Sequence, residues 1–262
     1  YFTEQDKQLI KSIALPLLEK YFLDTELKDF YIPSDDEMHK IMNYIVGAEV
    51  SEDYVPMMLD ELNLRPSKPI KNTVAPDKRD MKDFSVLIIG AGMSGILMGI
   101  KLAEKGIPFK IYEKNSSVGG TWADNTYPGC RVDIANHFYS YSFEENHQWS
   151  QYFSQQPELE QYFQTCFDKY DLAGMTQFNT EVLAMTFDDS SNLWSIQSIN
   201  NGSEDSEKFN LVISCVGQLN QPKIPEINGL ESFGGNIFHS ARWPKDDQIT
   251  GKKVAVIGSG AS

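Results

Sequence analysis

Cysteine is scarce: 262 residues hold three, Cys130, Cys166 and Cys215, widely spaced and without a CxxC pair. That excludes a disulfide scaffold and a cysteine zinc site, and it fits a reducing compartment. Basic residues are few, with 23 Lys and Arg against 37 Asp and Glu and a net charge of −14. A chain this acidic does not seek nucleic acid or an anionic membrane surface. Long apolar runs are missing too. The longest uncharged stretch, Phe84 to Ile100, is too short for a span and is broken by glycines. No basic-then-apolar leader follows Tyr1, so the chain is expected to be cytoplasmic and not to begin at its native N-terminus. Repeats and low-complexity tracts are absent, and no residues are assigned to a metal.

What is present is ordinary globular material. Apolar residues make up 41% and charged residues 23%, enough for a real core. At roughly 150 residues per domain, the length suits one to two domains. Residues 1–63 read as an acidic helical extension. Ile10, Ile13, Ala14, Leu17, Leu18, Tyr21 and Phe22 recur at spacings of three and four, which predicts one buried face. Met38, Ile41, Met42, Tyr44, Ile45 and Val46 repeat the pattern. There Ser34 and Glu37 form a capping-box signal and Gly47 suits the end. Glu52 to Leu62 is a weaker helix, interrupted early by Pro56. Residues 64–83, polar and proline-bearing, read as a linker.

The pattern then changes to α/β. Ser85–Ile89 is a short apolar strand, Ser94–Lys105 a helix ended by Gly106, and Phe109–Tyr112 a second strand. This is a βαβ unit with a parallel pair. Pro157–Tyr170 reads as helix. Phe178–Phe187, Leu193–Ile199 and Phe209–Val216 read as strands, and Lys253–Ile257 as a last one.

Between the first strand and its helix lies a GxGxxG of Gly90, Gly92 and Gly95. The first glycine permits the turn, the second lets backbone approach a pyrophosphate, and the third lets the helix pack on the strand. The helix start at Ser94 offers N–H groups to an anion. Glu113 closes the second strand, where a carboxylate can hold a ribose diol and would repel a 2′-phosphate. The site therefore suits FAD or NAD rather than NADP. Gly119-Gly120 followed by Thr121-Trp122 suggests a second close approach to an extended cofactor, which favours FAD. Val254–Ser262 repeats the logic of strand and glycine loop at Gly258 and Gly260, where a nicotinamide cofactor is expected; spacing alone does not distinguish NAD from NADP. The chain is expected to be part of a longer protein.

Two further stretches carry a resemblance. One is Gly119-Gly120-Thr121-Trp122 with Tyr127–Asp133 and Tyr139–Phe143. The other runs Phe233, Gly235, His239, Trp243, Pro244 in the pattern FxGxxxHxxxWP. Together, lying between the two glycine loops, they resemble the Baeyer–Villiger monooxygenases of the flavin-containing monooxygenase superfamily. Among these the chain looks most like the 4-hydroxyacetophenone-oxidising members. The resemblance implies a Rossmann-like FAD-binding domain over 84–222, a fingerprint linker over 223–251 and the start of an NADP-binding domain over 252–262. It also implies that NADPH reduces FAD, that O2 is captured as a flavin C4a-peroxide, and that one oxygen enters beside a ketone carbonyl, giving an ester or lactone.

Residue by residue, the resemblance makes Asp133 the acid near the flavin, partner of an arginine outside these residues. Arg131 and Val132 are carried over to the nicotinamide side, and Thr121, Trp122 and Tyr139 to the flavin. Val182 is carried over to the adenine through its backbone, and Gln218 to a loop returning to the flavin. His239 couples domain movement to catalysis, with Trp243 and Phe233 packed on it. Small-molecule ketone, aromatic ones included, and O2 are the expected partners, with a homodimer through the extension. Two alternatives stay open: a flavin monooxygenase that oxygenates nitrogen or sulfur, and a catalytically incomplete FAD-binding or dimerisation fragment.

Overall fold

The computed structural model describes residues 3–62, 64, 81, 83–244 and 249–260, except 24–31. Contacts divide the chain into two units, Tyr1–Lys68 and Pro69–Ser262. The linker expected at 64–83 lies mostly outside the described residues.

The first unit holds helices α1 (Glu4–Leu23), α2 (Asp35–Val46) and α3 (Tyr54–Glu61). The capping box forms: the Ser34 N–H donates to Glu37 Oε2 at 2.9 Å, and the Glu37 N–H donates to Ser34 Oγ at 3.4 Å. Gly47 ends α2 at φ 71°. Pro56 falls in the first turn of α3, where its missing N–H costs nothing, so the helix forms around it. Met38, Met42, Val55 and Leu59 make a small core. The predicted buried face of α1 is not buried: Ile10, Ile13, Leu17 and Leu18 are exposed, as are Ile41, Tyr44, Ile45 and Val46 on α2. Periodicity shows that a face is apolar, but it does not supply the surface that covers it. The side chains of Tyr21 and Phe22 lie outside the described residues.

The second unit is built on β1 (Val86–Ile89), α4 (Met93–Lys105) and β2 (Phe109–Tyr112), as the βαβ pattern predicts, and Gly106 ends α4 at φ 66°. Then come α5 (Thr121–Asp124), α6 (Gln156–Lys169), β3 (Thr176–Gln177), β4 (Thr180–Asp188), β5 (Leu193–Asn200), β6 (Ser203–Phe209) and β7 (Leu211–Ser214). One sheet runs β3-β2-β1-β7, all parallel; the other is the antiparallel meander β4-β5-β6. Strand β1 is buried on both faces. Val86 and Ile88 join the core that contains Ile96 of α4 and Phe163 of α6, whereas Leu87 packs with Tyr112, Ile196 and Phe209 towards the meander. Each such side chain stabilises the fold by about 1.5–3 kcal/mol.

Two strand expectations need correction, and one strand forms where the sequence pattern predicts none. The single strand expected over Phe209–Val216 is two strands: Phe209 closes β6, and β7 starts at Leu211. Asn210 is the joint, its Oδ1 accepting from the Ser85 N–H at 2.9 Å. The pattern predicts no strand at β6, because Ser203–Lys208 is polar and acidic. It forms by laddering onto β5, and charge suits an edge strand. Lys253–Ile257 is not a strand; Val254, Val256 and Ile257 are exposed. An apolar run becomes a parallel strand only where a neighbour takes up its hydrogen bonds.

Candidate nucleotide site

From β1 the chain steps sideways to β2 and β3, then returns to place β7 on the opposite side of β1. The carboxyl end of β1 is therefore the topological switch point, where open parallel sheets bind ligands. The GxGxxG sits there. Gly90 has φ 100°, and a Cβ on it would lie 2.8 Å from the Cys215 carbonyl oxygen just past β7. Its N–H donates to the Tyr112 carbonyl at 2.8 Å. A Cβ on Gly95 would lie 1.8 Å from the Gly90 carbonyl oxygen, so only glycine lets α4 start this close to β1.

The second glycine pair docks on the first loop. The Gly119 N–H donates to the Ala91 carbonyl at 3.1 Å. Gly120 has φ 53°, and a Cβ there would stand 2.8 Å from Gly92 Cα. The close approach read from the sequence is thus made between the two loops. Gly92 begins α4 with no side-chain cap, which leaves first-turn N–H groups and the positive end of the helix dipole for an anion. Ser94 lies exposed in that turn.

Glu113 is buried, 4% exposed. One oxygen accepts from the Ala91 N–H at 2.7 Å and the other from the Asn115 N–H at 2.8 Å. The carboxylate thereby ties the end of β2 to the glycine loop. Each oxygen keeps a further lone pair for a hydroxyl. Trp122, buried in α5, donates its Nε1–H to the Tyr139 hydroxyl at 3.2 Å, and the two rings meet edge to face at 5.7 Å. Burial pushes the Tyr139 phenol up; the hydrogen bond from Trp122 opposes the shift and the Asp133 charge adds to it. Thr121 is exposed beside Gly120.

Val132 is buried between exposed Arg131 and Asp133, and its N–H donates to the Ser154 carbonyl at 3.0 Å. The Gln156 N–H donates to the Cys130 carbonyl at 2.9 Å, so this segment is pinned to the approach of α6. Val182 lies at a β-bulge and packs its side chain on the cluster around Leu87. Gln218 is exposed after Gly217, φ 75°.

His239 Nδ1 accepts from the Ala241 N–H at 3.1 Å and so opens the short turn Ser240–Arg242. The packing expected around it differs. Trp243 meets Phe238 edge to face at 4.9 Å, whereas Phe233 is 62% exposed with its ring over Gly235. A turn this tight satisfies the imidazole locally. Gly258 takes φ 130°, in the same left-handed region as Gly90, yet a Cβ on Gly258 or Gly260 would meet nothing within 4 Å. The structure thus gathers Gly90, Gly92, Gly95, Glu113 and Gly120 at one sheet end, and joins Trp122 to Tyr139. It does not build a second cradle at Gly258 and Gly260. Sequence reasoning missed Tyr141 and Asn115. Tyr141 lay within the Tyr139–Phe143 stretch, and its buried hydroxyl donates to the Met93 carbonyl at 2.5 Å.

The model of the flavin-binding monooxygenase-like family matches residues 83–262. A Baeyer–Villiger monooxygenase of Pseudomonas aeruginosa is 40% identical over 197 residues, 75% of this chain and 37% of that protein. Another, from Streptomyces coelicolor, is 39% identical over 178 residues, 68% of this chain and 34% of its own. Among solved structures, the closed form of cyclohexanone monooxygenase superposes with a TM-score of 0.62 at 32% identity, over 68% of this chain and 34% of that one. OTEMO, solved in complex with FAD and NADP, gives a TM-score of 0.58 at 33% identity, over 63% of this chain and 31% of that one. The chain spans about a third of the length of these relatives.

Proposed function

The chain belongs to the flavin-binding monooxygenase-like family, and from that premise we propose that it is the FAD-holding part of an NADPH-dependent Baeyer–Villiger monooxygenase that turns a small ketone into an ester or lactone. The observation that carries this reading is the paired glycine cradle: Gly120 stands against Gly92 at the uncapped start of α4, with the Glu113 carboxylate beneath. A dinucleotide fits that donor set. The N–H groups of Met93, Ser94 and Gly95 hold the pyrophosphate, and Glu113 accepts from a ribose hydroxyl. Bound FAD supplies the redox chemistry, and the protein supplies position and exclusion of water. Trp122 and Tyr139 form a wall on the flavin side. Arg131 and Val132 line the nicotinamide side, and Asp133 stands near the flavin. Asp133 holds a negative charge for a cationic partner. Val182 approaches the adenine through its backbone, and Gln218 stands on the loop that returns to the flavin. Gly258 and Gly260 start the nicotinamide site, and His239 acts at the linker by movement rather than by proton transfer.

The test is direct. Titration of the 262-residue chain with FAD, followed by absorbance and fluorescence, is expected to saturate at one FAD per chain. The same sample is expected to leave NADPH unoxidised with or without ketone, since the match covers only 37% of such a relative. Absence of flavin binding overturns the cofactor assignment; ester formation by this chain alone overturns its role as a part. The exposed apolar faces of α1 and α2 support a homodimer through the extension, which sedimentation equilibrium checks.

A further inference from the structure

The Tyr141 phenol is buried against the first turn of α4, 6% exposed. Its hydroxyl donates to the Met93 carbonyl at 2.5 Å. Met93 opens α4, so its carbonyl faces the Leu97 N–H one turn on. The Tyr141 hydroxyl thus brings a side-chain donor to a carbonyl of the very turn that follows Gly92.

Tyr141 has little freedom to do otherwise. Its own N–H donates to the Tyr162 hydroxyl at 2.8 Å. Its ring stacks on Phe143, with centroids 5.3 Å apart and planes within 3°, and Lys101 of α4 lies over Phe143 at 3.9 Å. Two residues earlier Tyr139 accepts from Trp122, which stands two residues after Gly120 in α5. Residues 139–141 therefore hold both glycine turns at once, one through Trp122 and one through Met93.

We propose that Tyr141 is a positioning residue for the nucleotide: its hydroxyl, donated to the Met93 carbonyl, fixes the angle at which the first turn of α4 presents its N–H groups to the pyrophosphate. The inference rests on the FAD reading above and goes beyond it by naming what shapes the cradle from behind. Burial also pushes the Tyr141 phenol far above the ordinary tyrosine range, so it stays a donor across the working pH range.

The test compares Tyr141→Phe with Tyr112→Phe. Tyr112 is also buried, and its hydroxyl donates to Glu207 at 2.6 Å, on the meander side of the sheet. Removing the Tyr141 hydroxyl leaves the Met93 carbonyl inside α4, where a main-chain N–H serves it, so the thermal midpoint is expected to stay close to that of the parent chain. FAD affinity, read by flavin fluorescence, is expected to fall about tenfold, the scale of one hydrogen bond. The 31P resonances of the bound pyrophosphate are expected to shift while the visible flavin spectrum stays in place. Tyr112→Phe is expected to change neither affinity nor 31P shifts. Unchanged affinity and 31P shifts in Tyr141→Phe overturn the inference, as do equal losses in both variants. If the parent chain itself takes up no FAD, the reading of the site falls first and the inference with it.

Discussion

Two stretches of this chain carry nearly the same local text and meet different fates. Val86–Gly95 and Val254–Gly260 both set an apolar β-branched run before a GxG, and in both the first glycine takes a positive φ, 100° at Gly90 and 130° at Gly258. The first run is a strand with Val86, Leu87 and Ile88 at 0–1% exposure, held between β2 and β7. The second is not a strand, and Val256 is 83% exposed. What separates them is neighbours. A glycine loop becomes a cradle when parallel strands on both sides fix its backbone and another segment closes over it, as Gly120 does over Gly92.

The sharpest way to break that comparison is to add one methyl to each loop. Gly95→Ala places a carbon 1.8 Å from the Gly90 carbonyl oxygen. Overpacking of this kind costs about 1–3 kcal/mol, roughly 2–12 °C of melting temperature in a chain of this size, and FAD uptake should be lost with it. Gly260→Ala meets nothing within 4 Å, and its melting curve should overlay that of the parent. Equal effects in calorimetry would show that the two loops are alike after all.

A smaller effect is expected at Glu113. Glutamine keeps one oxygen but sets an NH2 against either the Ala91 or the Asn115 N–H, so one of two buried bonds is lost. Glu113→Gln should cost about 1–3 kcal/mol and weaken FAD, since the amide holds a ribose diol less well than a carboxylate does. Denaturant midpoints and a flavin titration check both. A variant as stable as the parent would mean that the carboxylate is not the tie between β2 and the loop.

The smallest effect concerns the meander that covers β1 from its other face. Lys110 of β2 donates to Glu207 of β6 at 2.6 Å, as does the Tyr112 hydroxyl. Burial raises the Glu207 carboxyl, but those bonds outweigh it and hold the group below the ordinary glutamate range. A lowered folded value means a stabilising contribution that is complete above the unfolded value and fades as pH falls through the folded one. The pair is partly exposed, so solvent screening keeps it to about 1 kcal/mol or less. The melting difference between the parent and Glu207→Gln should be small at neutral pH and close in acid. A gap that widens in acid would reverse the sign and remove the tie.

Local rules were legible where a residue type has one physical reason to be present. The capping box at Ser34 and Glu37, the helix ends at Gly47 and Gly106 and the β1–α4–β2 unit could all be read from side-chain chemistry and period. Legibility failed where a neighbour decides. Strand β6 carries an acidic, strand-averse sequence and forms because β5 offers its ladder. The stripe of α1 has the period of a buried face and is exposed. Trp243 chose Phe238 over His239 because the turn brings that ring within 4.9 Å.

By itself the sequence determined the glycine positions, the carboxylate at the end of the second strand and the paired glycines that follow. These depend on backbone sterics and on charge, which act within a few residues. Only the tertiary structure decided that β7 returns to the far side of β1, that Gly120 closes on Gly92, and that Tyr141 reaches back into α4. Those contacts join residues far apart in the chain, and no local preference encodes which distant surfaces will meet once the core is buried.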